Sequence, residues 1–329
     1  MSALWTLTFL SILVLTLFGT IRQRIFLFQR LETRARVQLA VEAGAKKAVA
    51  VLLDDLENNQ FMLSAPGKVR RMNNPGEFAS IPVADHRVEV VHEIPDDASG
   101  AVLERWGMAD EQSKINLNTA SAETIRVLIM DVLGWGGVEA KGLADAITDW
   151  RDVGRHEAGG FFSDEYYESL EFPYTMKDQP FERPDELLLV KGVDRKIYNA
   201  LAPFVTVYGD GRVNVNTAPG KVLLALGLDA GVAAKILKAR RGEDNLEGTA
   251  DDHIFVRTFD VAADTAKAVP LELREVREID GVNAQGLLTT ESGIYSFTAR
   301  VLAPNGGQQR EVVCVVDALG SRTVYWFEK

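Results

Sequence analysis

The sequence predicts an α+β protein in which a long N-terminal helix precedes a mixed α/β domain, and a mostly helical segment separates the strands of that domain. Three observations support this fold class. Residues 1–21 are almost entirely apolar. Alternation of apolar and polar residues, typical of strands, occurs at 78–94 and again at 287–329. Between these two segments lies a helix-forming sequence that contains Asn-x-Asn-Thr-Ala twice.

The N-terminal segment predicts one membrane-spanning helix that continues beyond the membrane. Residues 3–21 contain no charged side chain and are long enough to cross a bilayer as a helix. The residues that follow, up to about 57, lack proline, so we expect about 55 helical residues that span roughly 80 Å. Apolar residues in the second half recur at helical spacing and predict a packing face: Val41, Ala45, Ala48, Val49, Leu52 and Leu53.

Two segments of the chain are nearly the same, INLNTASAETIRVL at 115–128 and VNVNTAPGKVLLAL at 213–226. Each predicts a short extended segment, a tight turn and a helix that ends at Leu-Gly. Thr119 and Thr217 stand just before the apolar run, where a threonine hydroxyl can cap a helix. The preceding asparagines can bond to local backbone and hold the turn: Asn116, Asn118, Asn214 and Asn216.

The similarity between the two copies continues along the chain. Each copy has a second predicted helix that ends in basic residues, and FERPDELLLVKGV at 181–193 parallels FVRTFDVAADTAKAV at 255–269. The unit resembles a helix-hairpin-helix, and the first copy resembles the tandem helix-hairpin-helix (SAM-like) domains. Residues 189–193, Leu-Val-Lys-Gly-Val, fit the second hairpin of such a pair.

The charge of the chain argues against a nucleic-acid ligand for these hairpins. Hairpins that bind phosphate need basic surroundings, because neutralised phosphates supply most of the non-specific affinity. This chain has a net charge of −11 and an isoelectric point near 5.0. Asp194 also stands where the phosphate-binding form usually has glycine. We therefore expect a helical packing module and no nucleic acid.

The chain resembles the minor pseudopilins of bacterial type II secretion systems, in particular the large K class (the general secretion pathway protein K family). The resemblance covers nearly the whole chain. It rests on six segments in the order of the family: the N-terminal helix, ADEQSKINLNTAS (109–121), AITDWRD (146–152) followed by DEYY (164–167), QPFERPDELLLVKGVDRKIYNALAPFVTVYG (179–209), VNVNTAP (213–219) and the β-rich tail.

The resemblance implies a pilin-like α/β domain that is interrupted by a large all-α insertion. The expected divisions are 1–57 for the membrane and stalk helix, 58–112 for the first part of the α/β domain, 113–276 for the insertion and 277–329 for the second part. Pilin-like subunits usually carry a glutamate near the start of the membrane helix, whereas this chain has Trp5 and Thr6 there. The K class also lacks that glutamate, which suits the top of a stack of subunits.

The function implied by the resemblance is a structural one. It is that of a minor pseudopilin at the tip of the pseudopilus, with an assembly role in protein export across the outer membrane. The expected partners are the other minor pseudopilins, of the I and J classes, and the inner membrane through residues 3–21. The expected location is a single-pass inner-membrane protein with its globular part in the periplasm. No small-molecule substrate is expected.

No catalytic site is predicted. The four histidines are scattered, and no catalytic triad, phosphate loop or zinc spacing is present. The lone cysteine, Cys314, lies in a predicted strand and is expected to be a small core residue. Two alternatives from other classes remain open: a membrane-tethered helix-hairpin-helix DNA receptor of the competence type, and a minor subunit of a type IV pilus.

An acidic, glycine-containing segment, GEDNLEGTADDH at 242–253, is a candidate calcium site. Calcium takes six to eight oxygen ligands, and the K class is associated with bound calcium in its helical domain. The candidate ligands are Glu243, Asp244, Asp251 and Asp252. A solvated acidic loop is the alternative. A second acidic segment, 149–168, keeps Asp-Trp-x-Asp but has Gly154 where another acid is expected, so it is the weaker candidate.

Overall fold

The computed structural model describes residues 2–59, 73–96, 101–152, 164–244, 252–302, 308–320 and 322–328. Helix α1 (Ser2–Asn59) is continuous over 58 residues, which confirms the predicted long helix. Within the described chain it is the one helix long and apolar enough to cross a membrane, and its most apolar window is fully exposed. Side chains of residues 4–36 are exposed, and burial begins at Val37.

One seven-stranded antiparallel sheet lies against the second half of α1. A short helix, α2 (Pro75–Phe78), precedes it. The strands of the sheet are β1 (Ile81–Val83), β2 (His86–Pro95), β3 (Val102–Trp106), β4 (Ala109–Asp110), β9 (Ile294–Leu302), β10 (Gln308–Asp317) and β11 (Arg322–Glu328). The order is β1-β2-β9-β10-β11, with β3 paired to β2 and β4 paired to β9. The predicted strands of both segments are thus confirmed. The residues Asn305-Gly306-Gly307, whose sequence predicts a hairpin turn between the last apolar strands, lie outside the described residues.

Alternation along the strands divides the sheet into two faces. In β9, Tyr295, Phe297, Ala299 and Val301 point toward α1 and are buried with the predicted packing face of the helix. Cys314 of β10 lies in this core, as its strand position predicted. On the opposite face of the sheet lie Ser296, Thr298 and Arg300, together with the outward-pointing residues of β10 and β11.

The chain between β4 and β9 forms a second, separate apolar core that consists mostly of helices. Its helices are α3 (Ala122–Leu133), α4 (Gly137–Arg151), α5 (Asp164–Glu168), α6 (Arg195–Leu201), α7 (Gly220–Ala225), α8 (Ala230–Arg240), α9 (Val261–Ala268) and α10 (Leu273–Ala284). Two short parallel pairs complete it. They are β5 (Ile115–Asn116) with β6 (Val205–Thr206), and β7 (Val213–Asn214) with β8 (Leu288–Thr289).

The chain leaves the sheet and returns to it at neighbouring strands. Ala109 pairs with Ser296 and Asp110 pairs with Tyr295, so the helical region comprises residues 111–293. The start expected at 113 lies close to this boundary, whereas the end expected at 276 is corrected. Residue 276 lies inside α10, and β8 beyond it pairs with β7 rather than with the large sheet. The apolar alternation that starts at 287 belongs to two different sheets, which the local pattern could not distinguish.

Helix α1 packs closely on the sheet at a glycine. A Cβ atom added to Gly44 would lie 2.5 Å from Cγ1 of Val88 and 2.7 Å from its Cβ, whereas one added to Gly142, in the middle of α4, would meet no atom within 4 Å. We therefore expect opposite effects of alanine at these two helical glycines.

Gly44→Ala should lower the free energy of unfolding by about 1–3 kcal/mol, because the helix must move away from the sheet. Gly142→Ala should raise it by about 0.5–1 kcal/mol, because alanine forms helix better than glycine. Urea denaturation of the soluble part, from about residue 24, measures both. If Gly44→Ala stabilised the protein as much as Gly142→Ala, the close packing of α1 on β2 would be contradicted.

Candidate functional site at the junction of the two cores

The second asparagine of each Asn-x-Asn-Thr turn joins its turn to a distant segment. Asn118 Nδ2 donates to the carbonyls of Phe181 (2.9 Å) and Val207 (3.2 Å), and its Oδ1 accepts from Phe181 N (2.7 Å). Asn216 repeats the arrangement with Phe255, donating to its carbonyl (2.9 Å) and accepting from its N–H (2.8 Å). Only an amide side chain supplies the donors and the acceptor together. The two phenylalanines therefore occupy equivalent places in the two copies.

The first asparagine of each turn shapes the turn itself. Asn116 Oδ1 accepts from the N–H of Asn118 (2.8 Å), and Asn214 Oδ1 accepts from the N–H of Asn216 (3.1 Å). Their Nδ2 groups differ. That of Asn116 donates to the carbonyls of Tyr208 and Gly209, whereas that of Asn214 donates to a carboxylate. In the second copy this asparagine therefore contacts the large sheet directly, through Asp110 at the end of β4.

Two arginines that the sequence did not single out complete the turns. Arg240, at the end of α8, is 1% exposed, and its Nη1 donates to the carbonyls of Val215 (3.0 Å) and Ala218 (2.9 Å). Arg151, at the end of α4, donates to the equivalent carbonyls of Leu117 and Ala120. The signal in the sequence was the basic end of the second helix in each copy.

The two threonines do not cap the helices that follow, which corrects the expected role. Ser121 caps α3 by accepting from Thr124 N (3.0 Å), and the N-cap of α7 is Pro219. Thr217 instead donates from Oγ1 to Asp110 (2.7 Å). Each helix begins later than the apolar pattern indicated, because the turn itself takes up the first Asn, Thr and Ala residues.

Asp110, the last residue of β4, connects the sheet to the second turn. Its Oδ2 accepts from Asn214 Nδ2 (2.8 Å) and Thr217 Oγ1 (2.7 Å), and its Oδ1 accepts from Gln112 N (2.8 Å). The side chain is fully enclosed. Burial raises the pKa of this carboxyl, and the hydroxyl, amide and backbone donors offset that effect only in part.

Glu111, the next residue, connects the sheet to the first copy. Its Oε2 lies 2.5 Å from Thr206 Oγ1 in β6, and its Oε1 lies 2.5 Å from Ser296 Oγ in β9. Burial opposes its charge, but Lys114 Nζ at 2.6 Å, with the two hydroxyls, holds the pKa below its usual value. Each carboxylate accepts from donors on more than one segment, so both hold the sheet and the helical region together.

The helical region also covers part of the sheet face opposite α1. The guanidinium of Arg183 lies over the rings of Tyr325 and Phe327 in β11, at 5.2 and 5.4 Å from their centroids. Gln112 accepts from Gly293 N (3.0 Å) at the point where the chain returns to the sheet. Together with the two carboxylates, these contacts form the junction between the two cores.

The second hairpin uses its aspartate in a way that disfavours phosphate binding. Asp194 accepts from Ile197 N (2.7 Å) and so caps α6, while Gly192 takes a positive φ of 86° in the preceding turn. The helix N-terminus is where a phosphate would need free N–H groups. A carboxylate already occupies this end and would repel an anion.

The candidate calcium ligands are described in part. Glu243 and Asp244 follow α8, Asp252 is buried at the other end of the segment, and Asp251 lies outside the described residues. The N–H of His253 donates to the carbonyl of Arg240 (3.0 Å) and brings the two ends together. Within the described ranges, no three His, Cys, Asp or Glu side chains are grouped to hold a metal ion. Nothing in these ranges indicates catalysis.

Asp110→Asn should lower the free energy of unfolding by about 2–3 kcal/mol. The two carboxylate oxygens now accept from three donors, and in the variant one of these oxygens becomes an NH2 group that would itself face a donor. Asp145→Asn is the matched control, because this aspartate on α4 pairs with the exposed Lys141 one helical turn away and should change stability by less than about 0.5 kcal/mol. Denaturant melts at neutral pH compare them. Equal stability of the two variants would mean that Asp110 does not hold the second turn to the sheet.

Comparison with known proteins relates this chain to one family. The family described as "Type II secretion system (T2SS), protein K" matches residues 108–210, which begin just before the junction. The type II secretion system protein K of Pseudomonas aeruginosa is 29% identical over 206 residues, 61% of this chain and 59% of that protein. That of Aeromonas hydrophila is 38% identical over 97 residues, 28% of this chain and 29% of its own length. The chain thus covers less than two thirds of these curated relatives.

The fold has a solved counterpart. A chain in the crystal structure of the GspK-GspI-GspJ complex from the enterotoxigenic Escherichia coli type 2 secretion system superposes with a TM-score of 0.63 at 15% identity. The superposition covers 91% of this chain and 99% of the other. Sequence and fold thus agree in their similarity to the type II secretion system K proteins.

Proposed function

We propose that this chain is a minor pseudopilin at the tip of a type II secretion pseudopilus, where it has a structural role in protein export across the outer membrane. The proposal rests on two features of the fold. The first half of the N-terminal helix is exposed, and a large helical region is inserted in the sheet between β4 and β9. The K-family match and the shared fold support it. The chain would act as an assembly component and not as an enzyme.

The two halves of α1 support a role in both membrane and filament. The first half presents apolar side chains on all sides, which suits first the lipid and then the helices of neighbouring subunits. The second half is committed to the sheet. We infer that the helix anchors the chain in the inner membrane, with the globular part in the periplasm, and is drawn into the filament during assembly.

The size and place of the helical region support the tip position. Residues 111–293 stand on the sheet and are held there by the buried carboxylates of the junction, so they cannot swing aside without breaking those hydrogen bonds. A subunit stacked above would meet this bulk. Partners of the I and J classes, as in the GspK-GspI-GspJ complex, would pack beside and below through their N-terminal helices.

The assembly proposal predicts a defined complex with two other minor pseudopilins. The soluble part from about residue 24, co-expressed with the I-class and J-class soluble parts, should elute as one species in size-exclusion chromatography with light scattering. Phe28→Glu with Leu31→Glu should weaken the complex at least about tenfold, because both side chains are exposed on the bare half of α1.

Val138→Glu is the matched control for this experiment. Val138 is 91% exposed on α4 of the helical region, and its replacement should leave the complex intact. Separate monomers across a range of concentrations would contradict the tip role. Equal loss of the complex in both variants would contradict assembly through α1.

We further propose that the segment 242–252 binds calcium. The candidate donors are carboxylates, the ligand type that calcium prefers, and the hydrogen bond from His253 to Arg240 fixes the two ends of the segment. Glu243 and Asp244 would approach from one end, and Asp251 and Asp252 from the other. A bound cation would replace repulsion among these carboxylates with ligation.

The calcium proposal predicts a melting temperature that rises with calcium and falls with chelator. A ligand that binds only the folded form stabilises it by about 2.7 kcal/mol at a hundredfold excess over its dissociation constant. Magnesium should do less, since it demands tighter octahedral geometry. Asp244→Asn with Asp251→Asn should abolish the calcium-dependent part, whereas Asp131→Asn with Glu139→Gln, on α3 and α4, should retain it. An unchanged melt of the native protein in millimolar calcium would identify a solvated loop.

A further inference from the structure

The part of α1 that follows the apolar span has an unusual charge for this chain. Residues 22–36 contain five arginines and one glutamate, whereas the remaining chain contains 31 basic and 46 acidic residues. All side chains in this segment are exposed. A strongly acidic protein therefore concentrates positive charge at one place on its membrane helix.

The arginines lie at the level where the helix should leave the bilayer. Trp5 stands near one end of the span and Arg22 at the other, about 25 Å apart at the helical rise, close to the thickness of a hydrocarbon core. Arg22 and Arg24 lie within about 5 Å of the end of the span. Arg30 is about 13 Å beyond Ile21, still within roughly a Debye length of the headgroup layer.

Three of these arginines, Arg22, Arg24 and Arg30, form no ion pair within the described part of the chain. In the described part of the molecule, Arg36 pairs with Glu32 at 2.8 Å, while Arg22 and Arg24 have no acidic partner. Arg30 lies over the ring of Phe26, 4.9 Å from its centroid, which leaves the outer edge of its guanidinium to other acceptors. The three point to different sides of the helix, since they are two and six residues apart.

We propose that Arg22, Arg24 and Arg30 form an arginine collar that binds the phosphate headgroups of anionic lipids around the emerging helix. Guanidinium groups match phosphate oxygens in geometry and charge. Basic residues beside a membrane span attract anionic lipids, and the attraction falls off within a Debye length. A distribution around the whole helix fits a ring of lipids better than one docked protein face. The collar would set how deeply the subunit sits in the membrane before assembly. Its bound lipids would be released when the helix leaves the membrane.

This inference rests on insertion of residues 4–21 in a membrane and not on the identity of the partner subunits. The test uses the full chain in vesicles of phosphatidylcholine with phosphatidylglycerol and measures, by spin-label EPR, the fraction of each lipid that is motionally restricted at the protein. Phosphatidylglycerol should be preferred about threefold or more at low salt, and the preference should fall in 1 M NaCl.

The triple variant Arg22→Gln, Arg24→Gln and Arg30→Gln should stay in the vesicles. Its preference for phosphatidylglycerol over phosphatidylcholine should fall to a ratio close to one. Lys46→Gln with Lys47→Gln is the matched control, because these exposed lysines lie about 37 Å beyond Ile21 on the same helix. Equal restriction of both lipids by the native chain, an unchanged preference in the arginine variant, or an equal loss in the lysine control would overturn the proposal. So would an arginine variant that keeps the lipid preference but loses the complex with its partner subunits, since the arginines would then bind protein.

Discussion

The pair of buried carboxylates at the end of β4 is the constraint on which the rest of the structure depends. Two adjacent side chains, Asp110 and Glu111, point into different parts of the helical region, one into each copy of the repeated turn. A buried carboxylate is costly unless donors surround it, so their environment admits few arrangements of the two cores. Their position at the exit of a strand fixes where the helical region stands on the sheet.

The internal repeat explains how a long insertion can be carried without distorting the sheet. The same three interactions stabilise each copy internally. An asparagine amide bonds to the backbone of a phenylalanine, an arginine donates to two carbonyls of the turn, and two short strands pair in parallel. Because β4 and β9 are neighbours, the region enters and leaves at one place. The copies differ in that Asn214 contacts Asp110 whereas Asn116 contacts backbone, so only in the second copy does the first asparagine of the turn bond to the sheet.

Helix α1 combines three environments in one unbroken element. Its apolar start suits lipid, its arginine-rich middle suits a charged interface, and its second half packs on the sheet through small residues such as Gly44. No proline interrupts it, so the membrane end and the half that packs on the sheet belong to one continuous helix. This continuity is what the proposed role in a filament requires.

The sequence by itself determined the long helix, the strands, the two repeated turns and the family resemblance, because each depends on local periodicity or on short motifs. Only the tertiary structure decided what the polar residues of the turns contact. Thr217 follows every local rule for a helix cap, yet it donates to Asp110, 107 residues away, and Ser121 caps the first helix instead. The end of the helical region at 293, rather than 276, likewise depends on the pairing of β8 with β7. Contacts between residues so far apart along the chain leave no periodic trace, so only the folded chain shows them.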